Sequence, residues 1–158
     1  MVSLIEYLHM LAVAVLVGKV VLLSFVVAPI LAKNLEREPF GKVVRQLFPA
    51  YYALGMGTAI VGLISVTGLG LIRGMSPALL VAGGTWFIVL AAEAYCRSLL
   101  TPQSNAARDR LKEQESWGTV DPALQHTWNR LHQRSIYLNS LVLLAGLCLL
   151  GLAIECSS

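Results

Sequence analysis

Charged residues are scarce in this chain of 158 residues: Asp, Glu, Lys and Arg together make up 13% of it. A water-soluble domain usually carries about a quarter. Hydrophobic residues reach 56%, and the mean hydropathy is +0.69. These values exclude a disordered chain, a soluble α/β enzyme and a nucleic-acid-binding module. They indicate an integral membrane protein, whose expected partner is the lipid bilayer and not a nucleic acid.

The sequence also lacks the common motifs of cofactor and catalytic sites. It contains no GxGxxG, no Walker loop, no GxSxG and no HExxH. The cysteines Cys96, Cys148 and Cys156 are scattered and form no CxxC, which argues against a zinc site or a disulfide framework. These absences favour a protein that is not an enzyme.

Four apolar runs stand out, at about 4–31, 48–72, 78–100 and 135–155. Each is long enough to cross a hydrocarbon core of ~30 Å as a helix of ~20 residues. The first run has no basic residues ahead of it and is too long for a cleaved signal peptide, so we expect it to be retained. The sequence predicts an all-α integral membrane four-helix bundle, a single domain over residues 1–158.

The basic residues indicate an orientation for this bundle. Ten of the twelve Lys and Arg residues lie in the segments 32–47 and 97–134. Because Lys and Arg accumulate in cytoplasmic loops, the loops 32–47 and 101–134 are predicted to be cytoplasmic. Both termini would then face outward. The expected location is the inner (plasma) membrane of a bacterium.

The loops carry local signals of their own. Pro-Phe-Gly at 39–41 predicts a break in the first basic loop. In the second, Ser104 or Asn105 would cap a short cytoplasmic helix that runs to about Glu115. Asp121-Pro122 then predicts a new helix start, with Pro at the first helical position. The fourth span is therefore expected to be one long helix that protrudes from the membrane.

Lys19, Glu93 and Arg97 are ionisable residues within the predicted spans, where each costs ~2.5–3.5 kcal/mol even on lenient insertion scales. Lys19 in span 1 and Glu93 in span 3 lie equally far along their helices and thus at a similar depth. Arg97 follows Glu93 by one helical turn. We predict a cluster inside the bundle. It is either a structural ion pair, with Arg97 reaching out to the headgroups, or part of a ligand or proton path.

His132, Ser135 and Asn139 share one helical face at the start of span 4. Because a polar stripe on a spanning helix usually faces protein, it predicts either interhelical hydrogen bonds or one wall of a polar pocket. We expect such a pocket to lie near Arg97 and Phe48-Pro49.

His9 is the candidate metal ligand, near the outer end of span 1. It should lie on the order of 20 Å from His132 along the membrane normal, given a ~30 Å core, so the two cannot form a bis-His haem site. A single-His haem, porphyrin or copper site at His9 stays open. The principal expectation is that the protein binds no cofactor.

Several short motifs occur in order along most of the chain: Val27-Ala28-Pro29, Phe40-Gly41, 47–52, 101–105 with Arg108-Asp109, and 131–135 with Asn139. This pattern resembles the transmembrane-protein-205-like family of small four-helix membrane proteins, which is also filed as a domain of unknown function. The resemblance implies a four-helix membrane fold and brings no biochemical activity. It directs attention to the cytoplasmic face, where most of these motifs fall.

Two functions remain. The first is a small-solute carrier or a membrane accessory subunit with a polar site at the cytoplasmic face. The second is a haem-, porphyrin- or copper-handling membrane protein with redox activity. A carrier with only four helices would need a homo-oligomer or a partner subunit. The candidate site residues of the first function are Lys19, Glu93, Arg97, His132, Ser135 and Asn139.

Overall fold

The computed structural model describes the backbone of residues 2–156 and the side chains of residues 2–153, which form four long helices and, over this range, no strand. The helices are α1 (Val2–Asn34), α2 (Arg37–Arg73), α3 (Pro77–Ser116) and α4 (Pro122–Cys156). Each is long and apolar enough to cross a membrane. The predicted four-helix membrane fold is confirmed.

Short polar or flexible residues set the helix boundaries. Gly74 has a φ of 86°, a left-handed conformation that favours glycine, and it ends α2. The Ser76 hydroxyl accepts a hydrogen bond from the Leu79 amide at 3.3 Å and caps α3. Asp121 Oδ1 accepts one from the Ala123 amide at 2.8 Å, which confirms the predicted start of a long fourth helix.

The break expected at residues 39–41 is absent, because α2 already begins at Arg37. Only Leu35 and Glu36 separate it from α1. Pro39 is the third residue of α2. There the backbone N–H would have no intrahelical acceptor, so a proline removes no helical hydrogen bond. Most of the predicted loop 32–47 is thus a helical extension of the second span.

Two helices contain a π-helical turn just ahead of a proline. The segment Leu22–Val27 precedes Pro29, and Cys96–Leu100 precedes Pro102. A proline ring inside an α-helix collides with the carbonyl four residues back and leaves it without a donor. A π turn relieves this conflict, because its hydrogen bonds reach one residue further back.

The π turn in α3 changes the interpretation of the second basic loop. The Thr101 amide donates to the Cys96 carbonyl, five residues back, and the helix continues without interruption. The short helix predicted from Ser104 or Asn105 is present as Thr101–Ser116, but neither residue caps it, since it is the end of α3. Only residues 117–121 of the predicted loop are non-helical.

The helices form a four-cornered bundle in which α2 and α4 each pack against both α1 and α3. Fully buried side chains fill its centre: Val13, Leu16, Trp86, Val89 and Leu149. Large apolar side chains cover the outside, among them Phe25, Ile64, Leu71, Leu80 and Phe87. An apolar core inside an apolar surface is the arrangement that a lipid solvent permits.

Candidate functional site

A buried ion pair joins α1 to α3 in the bundle centre. Lys19 Nζ lies 2.5 Å from Glu93 Oε1, and the two side chains are 4% and 1% exposed. The pairing predicted from their equal depth is confirmed. Glu93 Oε2 is also buried and has no hydrogen-bond partner among the residues that the structure describes. The carboxylate therefore depends on Lys19 for its polar contact.

Helix α2 supplies the third side of the ion pair. Lys19 Nζ lies 3.9 Å from the centroid of the Tyr51 ring, within the range of a cation–π contact. One turn further on, Gly55 lies directly against Lys19 Nζ and the Glu93 carboxyl, and a Cβ at this position would overlap both. The absence of a side chain at Gly55 is what lets the two charges meet.

Arg97 does not join the pair, in contrast to the predicted cluster. Its side chain is exposed, and it makes no ion pair or hydrogen bond within the described part of the chain. Three residues after Glu93 on the same helix, the side chain that points into the bundle is that of Cys96, which is 2% exposed. A long cationic side chain avoids the cost of burial by extending to the surface, the alternative that the sequence had left open.

The polar stripe on α4 faces protein. Asn139 Oδ1 accepts a hydrogen bond from the Tyr51 hydroxyl at 3.1 Å, and the Ser135 hydroxyl lies 3.2 Å from the Tyr52 hydroxyl. His132 stands at the exposed end of the stripe, stacked on Trp128 with 5.5 Å between ring centroids. Tyr51 thus connects the buried ion pair to Asn139.

The residues of the α4 stripe border a cavity of about 900 Å³ between the four helices, here called the groove. Its lining includes Ser135, Asn139 and His132, together with Phe48 and Tyr52. The predicted pocket beside Phe48 is therefore present. Arg97 is not among its lining residues.

The groove is apolar at one end and polar at the other. Side chains of α1 and α4 make the mainly apolar end: Val20, Leu23, Phe25, Ala28, Ile136 and Leu143. Uncharged polar residues of the same two helices line the groove between them: Ser24, Ser135, Asn139 and Ser140. Groups from the ends of α2, α3 and α4 make the polar end: Arg37, Arg45, Ser104, Asn105, Arg108, Glu115 and His132.

Ion pairs between α2 and α3 hold the polar end together. Arg45 donates two hydrogen bonds to the Asp109 carboxylate, at 2.6 and 3.2 Å. Lys112 Nζ lies 3.0 Å from Glu38 Oε1. Both pairs are exposed, so they position the extension of α3 more than they stabilise it.

His9, the candidate metal ligand, is buried at the other end of the bundle. Its Nε2 accepts a hydrogen bond from Trp86 Nε1 at 3.0 Å, which occupies the lone pair that a metal would need there. The described residues contain no group of three or more His, Cys, Asp or Glu that could hold a metal ion. The His9 environment is that of a hydrogen-bonded core histidine.

Sequence reasoning missed the role of α2. No role is predicted from the sequence for Tyr51 and Tyr52, yet their hydroxyls contact the α4 stripe. The signal was the spacing of Tyr51, Gly55 and Thr58, which places small and polar residues on one buried helical face.

A family model described as "Domain of unknown function (DUF4149)" matches residues 11–113, more than half of the chain. The match covers most of α1, all of α2 and most of α3, whereas the stripe on α4 lies outside it. Neither the search of curated proteins nor that of solved structures finds a match.

Proposed function

The chain belongs to the DUF4149 family, and from this premise we propose that it is a membrane protein that binds one small amphiphilic molecule in the groove. It would act as a small-solute carrier or as an accessory subunit, not as an enzyme. The groove would open at the cytoplasmic face of the inner membrane. We also propose that the chain is related to the transmembrane-protein-205-like family, whose motifs its sequence resembles.

The observation that carries the proposal is the division of the groove into an apolar and a polar end. Ligand pockets of ~300–1,000 Å³ are mostly apolar and carry a few polar groups that orient the ligand. The groove, of about 900 Å³, falls in this range. Its polar end lies on the helical extensions of α2 and α3, and its apolar end lies among the membrane-crossing segments.

The Lys19–Glu93 pair, Tyr51 and Asn139 would support this site from inside. The pair would fix the register of α1 against α3, and Tyr51, which contacts both Lys19 and Asn139, would extend this constraint to α4. Lys19 and Glu93 would then be positioning residues. Of the six candidate site residues, Ser135, Asn139 and His132 would be the ones that touch the ligand.

Blocking the groove tests the proposal. Gly41 lines it, and a Cβ there would meet nothing within 4 Å, so Gly41→Phe should fill the groove without disturbing the backbone. Gly57 lies on the same helix, is exposed and also has free space, so Gly57→Phe is the matched control. Native mass spectrometry of protein purified in mild detergent should find a co-purifying amphiphile in the parent and in Gly57→Phe.

The Gly41→Phe variant should carry none of this co-purifying amphiphile. Equal ligand occupancy in both variants would refute the groove as the binding site. An absorption spectrum of the same samples addresses the haem alternative, because a Soret band near ~400 nm at about one haem per chain would favour it instead.

A further inference from the structure

We propose that the groove selects amphiphiles with an oxyanion headgroup, a phosphate or a carboxylate, and that Arg108 and Asn105 hold this headgroup. This inference rests on the proposed function and names its ligand class. It follows from three features of the groove: the excess of cationic over anionic side chains at its polar end, the unused donors of α3, and the opening of its apolar end toward lipid.

The polar end carries cationic charge that protein carboxylates do not neutralise. Three arginines and one glutamate line it. Arg45 is engaged by the Asp109 carboxylate, but Arg108 has only Glu115 at 3.9 Å, and Arg37 has no ion pair with any residue in the described range. An anion entering the groove would therefore meet two guanidinium groups with free donors.

The donors of α3 converge on the same space. Ser104, Asn105 and Arg108 are half-buried neighbours on one helical face, and all three line the groove. The side chains of Ser104 and Asn105 make no hydrogen bond to any residue that the structure describes. A hydroxyl, an amide and a guanidinium together can satisfy several oxygens of one phosphate or carboxylate.

Trp128 holds the Arg108 guanidinium in place. The guanidinium carbon lies 5.6 Å from the centroid of the Trp128 ring, and the Arg108 side chain is 26% exposed. His132 stacks on the same indole. Partial burial and a fixed orientation strengthen an ionic hydrogen bond relative to one made by a mobile surface arginine.

The apolar end reaches the lipid-facing surface, which explains why the ligand would carry a hydrocarbon chain. Phe25 and Ile136 line the groove and are also 67% and 51% exposed on the outside of the bundle. Phe25 belongs to the π turn of α1, and Ile136 lies on α4. A hydrocarbon chain can pass between these helices while its headgroup stays with Arg108.

The test measures binding of chain-matched probes to the full-length protein in mild detergent. Two pairs are matched in chain: dodecyl phosphate with the uncharged control dodecyl maltoside, and phosphatidylglycerol with the zwitterionic control phosphatidylcholine. Oleate is added as a single-chain carboxylate. We expect the anionic probes to bind at least ~10-fold more tightly than the controls, the difference that one charge-assisted hydrogen bond can make. Preference for phosphatidylglycerol would identify a membrane lipid as the source, and preference for the single-chain anions a free amphiphile.

Two variants of α3 provide the matched comparison. Arg108→Gln should weaken dodecyl phosphate binding ~10- to 100-fold, whereas Arg110→Gln, on the exposed side of the same helix, should leave it unchanged. Should Arg108→Gln not fold, the salt dependence of dodecyl phosphate binding to the parent replaces it, because screening should weaken an ionic contact.

Equal binding of anionic and neutral probes, or parent binding that does not change with salt, would overturn the headgroup inference and leave the proposed function standing. If none of the five amphiphiles binds, or if Gly41→Phe binds them all as the parent does, the proposed function fails as well.

Discussion

Lys19 and Glu93 place two charges in the centre of an apolar bundle, where either charge alone would be strongly disfavoured. Their contact, the Tyr51 ring and the gap left by Gly55 make one arrangement in which both are tolerated. Such a pair adds little net stability over well-packed apolar residues. We therefore propose that the pair specifies the register of α1 against α3 and, through it, the shape of the groove.

Removing one partner of the Lys19–Glu93 pair tests how far the fold depends on it. Glu93→Ala leaves Lys19 buried without a counter-charge, and we expect the free energy of unfolding to fall by ~3–5 kcal/mol, as for other broken buried pairs. Unfolding in mild detergent, followed by circular dichroism, measures it. The double exchange Lys19→Glu with Glu93→Lys should recover part of the loss. A Glu93→Ala protein as stable as the parent would show that the pair does not constrain the fold.

Gly55 allows a second test at this scale. Gly55→Ala adds a Cβ that would overlap Lys19 Nζ and the Glu93 carboxyl, so we expect an overpacking cost of ~1–3 kcal/mol in the same unfolding measurement. Gly57→Ala is the matched control, because a Cβ there meets nothing within 4 Å. If the two variants have equal stability, the close approach at Gly55 is not required.

At the scale of elements, proline placement decides where the helices run. The apolar runs predicted the four spans, since hydrocarbon length and helical rise leave few alternatives. The polar extensions of α2 and α3 were predicted less well. Pro39 looked like a break but lies in a first turn, and Pro102 is accommodated by a π turn. Whether a proline breaks a helix depends on the hydrogen bonds around it, which its sequence position alone does not show.

The site was predictable to the extent that it follows helical periodicity. The spacing of Ser135 and Asn139 correctly indicated a face directed at protein, and equal depth correctly paired Lys19 with Glu93. The prediction that Arg97 joins this pair was wrong, because side-chain length and helix phase decide whether a residue points into the bundle. The gathering of Arg108, Asn105 and Trp128 depends on how the α3 extension packs on α4, which is tertiary information.

The contact between α2 and the α3 extension should fix the position of the extension and add little to the free energy of unfolding. In the Arg45–Asp109 pair the side chains are 45% and 56% exposed, so water screens their attraction. We expect Asp109→Asn to lower the free energy of unfolding by less than about 1 kcal/mol. A double-mutant cycle with Arg45→Gln isolates the pair. A coupling energy above about 2 kcal/mol would mean that the ion pair stabilises the extension and does not merely position it.

For the whole molecule, charge is distributed unevenly between the two ends of the bundle. The basic segments 32–47 and 97–134 lie where α1 and α3 end and α2 and α4 begin, the same end that carries the polar part of the groove. At the opposite end, Arg73 is paired with Glu6 at 2.6 Å. The distribution of Lys and Arg therefore predicts a single orientation for the protein and the groove together.

The orientation of the protein decides from which side of the membrane a ligand reaches the groove. In a cysteine-free background we expect a membrane-impermeant thiol reagent to label Met75→Cys, in the turn between α2 and α3, in intact cells. Gln114→Cys, at the end of α3, should be labelled only after permeabilisation, because the positive-inside rule predicts that the basic end is cytoplasmic. The reverse pattern would place the polar end of the groove outside. An oxyanion amphiphile would then reach Arg108 from the outer leaflet, and a role in handling cytoplasmic solutes would be wrong.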